Sequence, residues 1–169
     1  MAQVADDAPP TIAELLTFAC DGRAWVDTDD ADKPIAYLLV EAVDGDALLE
    51  QVSVHPDHAH RRLGSSLIDV AAAWARRHAL AALTLTTFAQ VPWNGPYYER
   101  LGFRIVPDTE WGAGLRNVRR AEAARGLDRW PRVVMRRPLD SSVSSTEHCP
   151  PGAPSEWPPG APPAQPTPQ

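Results

Sequence analysis

Apolar and polar residues alternate with two periods along residues 9–140, and each switch of period marks an element. Ile12, Leu15, Leu16 and Ala19 recur at helical spacing, which predicts a short helix over residues 10–20. "RAWVDT" (23–28) and "PIAYLLVEAV" (34–43) read as strands joined by the acidic turn "DDADKP". Gly45 between Asp44 and Asp46 marks a hairpin turn, and "ALLEQVSV" (47–54) is a third strand that ends near Pro56. Leu63, Leu67, Ala71 and Ala75 repeat at i+4, with Val70 and Trp74 beside them, so residues 63–80 read as a helix. "LTLTTF" (83–88) is a fourth strand. "VPWNGP" is an irregular loop before a short helix over residues 97–101 that stops at Gly102. "FRIV" (103–106) makes a fifth strand, residues 115–125 an arginine-rich helix, and "RVVMRR" (132–137) the last strand. Hairpin strands come first and strand–helix–strand follows, an order that predicts α/β or α+β with a mixed sheet.

Composition adds boundaries. The 169 residues suffice for one ordinary domain plus some excess. Residues 1–8 read as a disordered N-terminus and residues 9–140 as the domain. Residues 141–169 read as a disordered tail: they hold half of the 18 prolines, and "PPGAP" occurs in them twice. Such a tail is either inert or a polyproline-type ligand for another protein. Cys20 and Cys149 lie far apart, which supports neither a disulfide framework nor a metal site. With no long apolar run and no secretory start, the reading is a cytoplasmic protein; a single lysine beside fifteen arginines points to a GC-rich bacterial source. The net charge of −6 is uneven, because residues 1–50 hold twelve acids against Arg23 and Lys33.

The candidate chemistry sits at "VSVHPDHAHRRLGSSLI", where a strand runs into a helix. The free N–H groups of a helix's first turn and its dipole stabilise an anion, a phosphate above all. Gly64, Ser65 and Ser66 are small enough for close approach, and Arg61 and Arg62 add charge. Alone this is a weak signal, since many such junctions bind nothing. The spacing fits neither a P-loop nor a Rossmann turn, and His55, His58 and His60 lack the partners a metal site needs. A second cluster, "WNGPYYERLGF", lies about thirty residues on.

Together and in this order, the two stretches resemble the GNAT superfamily of acyl-CoA-dependent N-acyltransferases. The first is similar to its pyrophosphate segment V-x-P-x-x-[QR]-x-x-G-x-[GA], the second to its N…Y-x-x-x-G-F segment. The resemblance spans about residues 23–137. It implies a mixed, mostly antiparallel central sheet flanked by helices, and acetyl-CoA as co-substrate. It implies that the backbone of Val52, Ser53 and Val54 meets the pantetheine arm. His60, Arg61, Arg62, Leu63, Gly64 and Ser65 would wrap the pyrophosphate. Asn94 would bond the pantetheine or orient the thioester, and Tyr98 would protonate the departing thiolate, which a phenol with an ordinary pKa near 10 can do. Glu50 is the candidate proton acceptor for the amine. Period-2 alternation puts it on one strand face with Leu48, Val52 and Val54, where lost solvation would raise its pKa; the alternative is an edge glutamate reaching water.

Three departures from the family pattern stand out. Ala59 replaces the first arginine or glutamine of the loop, and Arg62 replaces its first glycine. Asn94 lies only four residues before Tyr98. The fold's first strand and helix have no counterpart before residue 10. The expected function is transfer of acetyl to a primary amine, on a small molecule or a peptide, with no nucleic-acid or membrane partner. Alternatives are a CoA-binding protein without catalysis and an interaction module built on the tail. The helix at 115–125, with Arg116, Arg119, Arg120 and Arg125, is open to three readings: an acceptor wall, a homodimer contact or a solvated basic face.

Overall fold

The computed structural model describes residues 10–92 and 94–140. The expected disordered segments at residues 1–8 and 141–169 lie outside the described residues. The elements are α1 (Ile12–Cys20), β1 (Ala24–Thr28), β2 (Pro34–Val43), β3 (Asp46–Val54), α2 (Leu63–Arg77), β4 (Ala82–Phe88), α3 (Asn94–Arg100), β5 (Arg104–Val106), α4 (Ala113–Ala124) and β6 (Arg132–Pro138). The strands form one sheet in the order β1-β2-β3-β4-β6-β5. Every neighbouring pair is antiparallel except β3 and β4, which are parallel. The mixed, mostly antiparallel sheet flanked by helices is thus the one expected from the sequence.

Local chemistry explains the boundaries. α1 starts at a capping box: the Glu14 N–H donates to Thr11 Oγ1 at 3.3 Å, and the Thr11 N–H donates to Glu14 Oε2 at 2.7 Å. The β2–β3 hairpin turns through Asp44 (φ 51°) and Gly45 (φ 84°), the two left-handed residues that a tight two-residue turn requires. α2 ends at Arg77, three residues short of the expected 80. Ala79 takes φ 54°, and the Leu80 N–H reaches back to the Ala75 carbonyl at 2.9 Å, which closes the helix. Alanine in that left-handed position gives no sequence warning of the stop.

The main core lies on one face of the sheet. Leu38 and Val40 of β2, Ala47 and Leu49 of β3, Leu83 and Leu85 of β4 and Met135 of β6 pack there against Leu67, Ile68, Ala71 and Ala75 of α2. Tyr97 and Tyr98 of α3 and Leu101 just after it join the same cluster, so α2 and α3 share this near face. α4 covers the far face, where Asp44 caps its first turn: the Gly114 and Leu115 N–H groups donate to the carboxylate at 2.9 and 2.8 Å.

One feature of the sheet creates the site. β3 and β4 pair only through Ala47↔Leu83 and Leu48↔Thr84, near the start of both strands. Beyond those residues they share no ladder, so the sheet splits toward the ends where β3 leads into α2 and β4 leads into α3. Ligands of sheets with parallel strands lodge in such crevices, outside the carboxyl ends of the strands.

Candidate active site

The loop from β3 to α2 carries the strain. His60 (φ 62°) and Arg62 (φ 63°) are both left-handed, a conformation that costs a side chain more than it costs glycine. Arg62 is the residue that enters α2, and no side chain caps the helix there. The first-turn N–H groups therefore have no side-chain cap, and the exposed Arg61 and Arg62 lie beside them in the chain. Arg61 Nη1 lies 2.9 Å from His58 Nδ1, which steadies its guanidinium over the loop.

The two sequence clusters meet at Gly64. A Cβ added there would stand 3.1 Å from the Tyr97 hydroxyl oxygen, 3.7 Å from Val54 Cγ2 and 3.9 Å from Val52 Cγ1. The end of β3, the first turn of α2 and α3 thus converge on one point, and only a hydrogen fits comfortably between them. Tyr97 lies in the second sequence cluster, where spacing gives it no role of its own. Its hydroxyl at the loop glycine is a feature that spacing alone does not reveal.

α3 positions Tyr98 from behind. Gly102 (φ 87°) lets the Phe103 N–H return to the Tyr98 carbonyl at 3.0 Å, the helix stop expected from the sequence. The Tyr98 ring stands edge-on to Phe103, with centroids 5.7 Å apart, and to Tyr97 at 5.2 Å. Burial pushes the Tyr98 phenol above its usual range, and the adjacent Tyr97 adds to the rise. Asn94 begins α3, and its Nδ2 donates to Thr87 Oγ1 of β4 at 3.1 Å.

Glu50 departs from the expected alternation. Leu39 pairs with Gln51 and the next residue, Val40, pairs with Leu49, so Glu50 is the extra residue of a β-bulge. The bulge shifts the pattern: Val52 and Val54 share the near face with Ala47 and Leu49, whereas Leu48 points to the far face. The expected grouping of Glu50 with Leu48, Val52 and Val54 is therefore corrected. Glu50 stays exposed at the split, yet partial loss of water raises its carboxyl above the usual range, against the pull of Arg125.

The arginine-rich helix is a further correction, because it is not simply a solvated face. Arg119 is largely buried and pairs with the buried Glu122 and with Asp128. Arg116 donates to the carbonyls of Trp111 and Asp108 at 3.1 and 2.9 Å. Among the described residues no group of three or more His, Cys, Asp or Glu side chains could hold a metal, and no helix is long and apolar enough to cross a membrane.

Comparison with known proteins matches this geometry to one family. Residues 3–103 match the acetyltransferase (GNAT) family. The N-acetylglutamate synthase from Neisseria gonorrhoeae, solved with coenzyme A and N-acetyl-glutamate, superposes with a TM-score of 0.64 at 14% identity, over 78% of this chain and 28% of that one. The ribosomal-protein-S18-alanine N-acetyltransferase from Escherichia coli gives 0.56 at 20% identity, over 85% and 86%. A GNAT acetyltransferase from Staphylococcus aureus Mu50 gives 0.55 at 13%, over 69% and 67%. At these identities the structures speak for the fold alone, and the sequence match carries the family. The split sheet, the uncapped helix at its mouth and the match over residues 3–103 agree: this chain belongs to the acetyltransferase (GNAT) family, and so among the acyltransferases.

Proposed function

We propose that the chain transfers an acetyl group from acetyl-CoA to a primary amine by direct attack in a ternary complex. One observation carries the reading: two parallel strands part after two residue pairs, and their ends feed an uncapped helix N-terminus and a partly buried tyrosine. The N. gonorrhoeae synthase, which shares the fold, was solved with coenzyme A, and this supports the same cofactor here.

In this reading the pyrophosphate rests on the N–H groups of Leu63, Gly64 and Ser65, with Arg61 and Arg62 supplying charge and His60 shaping the loop. The pantetheine lies along Val52, Ser53 and Val54, on the edge of β3 that β4 has left. The amine nitrogen attacks the thioester carbon, and a backbone N–H of β3 polarises the carbonyl oxygen. Glu50 takes the amine's proton, directly or through water; a carboxylate held above its usual range is closer to the working pH and a better base. The carbon–sulfur bond breaks, and Tyr98 gives its proton to the thiolate. Its raised pKa keeps the phenol neutral for that step. Asn94 ties α3 to β4 through one N–H to Thr87 and bonds the pantetheine or orients the thioester with the rest of its amide. The acidic residues 1–50 favour a cationic acceptor, whether small molecule or peptide.

A second reading, CoA binding without turnover, draws on the two left-handed residues of the loop, His60 and Arg62. Titration calorimetry with acetyl-CoA, followed by free-thiol release over a panel of amines, separates the two. Transfer requires binding heat and amine-dependent thiol. Heat without thiol for any amine favours the second reading, and no heat removes both.

A further inference from the structure

The far face carries a set of charges that the proposed chemistry does not use. Glu122 of α4 is only 6% exposed. Its Oε1 accepts from Thr86 Oγ1 of β4 and, at 2.9 Å, from Arg132 Nη2 of β6; its Oε2 accepts from Arg119 Nη1. Arg132 Nη2 also donates to Thr86 Oγ1 at 2.6 Å, and Arg119 Nη2 to Asp128 Oδ1 at 2.7 Å. The Nε atoms of both arginines are buried without a partner among the described residues. A buried ionic group of this kind seldom stabilises a fold more than apolar packing of the same shape would. Its position therefore matters more than its energy.

That position is where the sheet opens. Thr86 lies two residues beyond Thr84, the last residue of β4 that pairs with β3. From there β4 keeps a ladder on its β6 side only. The next residue, Thr87, faces the other way and accepts the hydrogen bond from Asn94. The free half of β4 is thus tied on both faces by side chains, in place of the ladder it has lost. Glu122, Arg119 and Arg132 also lie beyond the residues 3–103 that match the family.

We infer that Glu122 is a positioning residue: by holding Thr86 on the far face it fixes the β4 wall of the split and, through Thr87 and Asn94, the helix that carries Tyr98. The inference rests on the proposed transferase reading, and its test has one arm that does not. Thr86→Val removes the hydroxyl that links β4 to the charges while leaving the charges paired, and Thr86→Ser keeps it. Thr86→Val is expected to lower kcat about tenfold while the calorimetric Kd for acetyl-CoA moves less than about twofold. Thr86→Ser is expected to restore kcat, and Thr86→Val to speed hydrogen exchange at the Leu85 and Thr87 amides, whose N–H groups face β6. An unchanged kcat in Thr86→Val, a Thr86→Ser no better than the valine, or a proportional fall of kcat and affinity would each overturn the inference. If the unaltered protein releases no thiol with any amine, the transferase reading fails by itself. The exchange arm then decides, and unchanged protection in Thr86→Val overturns the clamp.

Discussion

Both faces of the sheet bury apolar strand residues, with Leu39, Leu48 and Val134 on the far face, but the far face adds buried charge. On the near face Leu38, Val40, Leu83 and Met135, each 0% exposed, meet the apolar stripe of α2. On the far face α4 is held by an aspartate at its first turn and an Arg–Glu–Arg group near its end. An apolar interface tolerates small shifts, because dispersion and burial are not directional. A hydrogen-bonded ionic group does not, because its cost reappears as soon as one partner moves. Both faces supply stability through burial, and the far face also supplies position at the point where β4 loses its neighbour.

The largest test of this contrast is Glu122→Ala. It leaves the buried Arg132 without a carboxylate and Arg119 with Asp128 alone, and a loss of about 3–5 kcal/mol is expected in denaturant unfolding. The matched near-face change, Leu38→Ala, is expected to cost about 2–5 kcal/mol through lost burial and a cavity. The contrast breaks if the Glu122 change costs under about 1 kcal/mol, since that is the range of a surface ion pair. Next comes Tyr98→Phe, expected to lower kcat about a hundredfold or more with acetyl-CoA binding retained, as removal of a general acid should. Undiminished turnover would take the acid role from Tyr98.

Glu50→Gln should abolish the acid limb of the kcat/KM profile, which in the unaltered protein falls as pH drops through a value above the ordinary carboxylate range. The stability sign is also fixed. Folding raises this pKa, so the ionised carboxylate is less favourable in the folded chain, and the loss is relieved as pH falls through the raised value. Glu50→Gln should therefore leave Tm at pH 7 unchanged or slightly higher, and a clear drop would mean that Glu50 holds the fold together. The smallest effect belongs to the strained loop. Arg62→Gly removes a left-handed side chain but frees the unfolded backbone, so stability should change by less than about 1 kcal/mol, with weaker acetyl-CoA binding from the lost charge.

Much of the near face was legible in the sequence, for physical reasons. Leu67, Ala71 and Ala75 bury because i+4 spacing needs only the helix itself to make a face. Gly102 stops α3 because a left-handed residue after a helix is a local requirement. What escaped depends on contacts made across the chain. Thr86 and Glu122 lie 36 residues apart, and no spacing rule links a strand threonine to a helix glutamate. Arg119 reads as one more basic residue until Glu122 is placed beside it. The bulge at Glu50 defeats an alternation count, because one extra residue reverses every side chain before it. The loop was readable as a strand-to-helix junction with Arg62 where the family places a glycine, and the left-handed backbone of Arg62 required the fold. That Tyr97 closes on Gly64 required the fold.

The central claim is that the split between β3 and β4 holds acetyl-CoA. Amide chemical shifts followed by NMR during titration with acetyl-CoA test it most directly. The largest changes are expected at Val52 to Val54 and at Arg61 to Ser65, with Tyr98 next and the β1 amides still. Saturable shifts confined to other surfaces, or no shifts at millimolar acetyl-CoA, would contradict it.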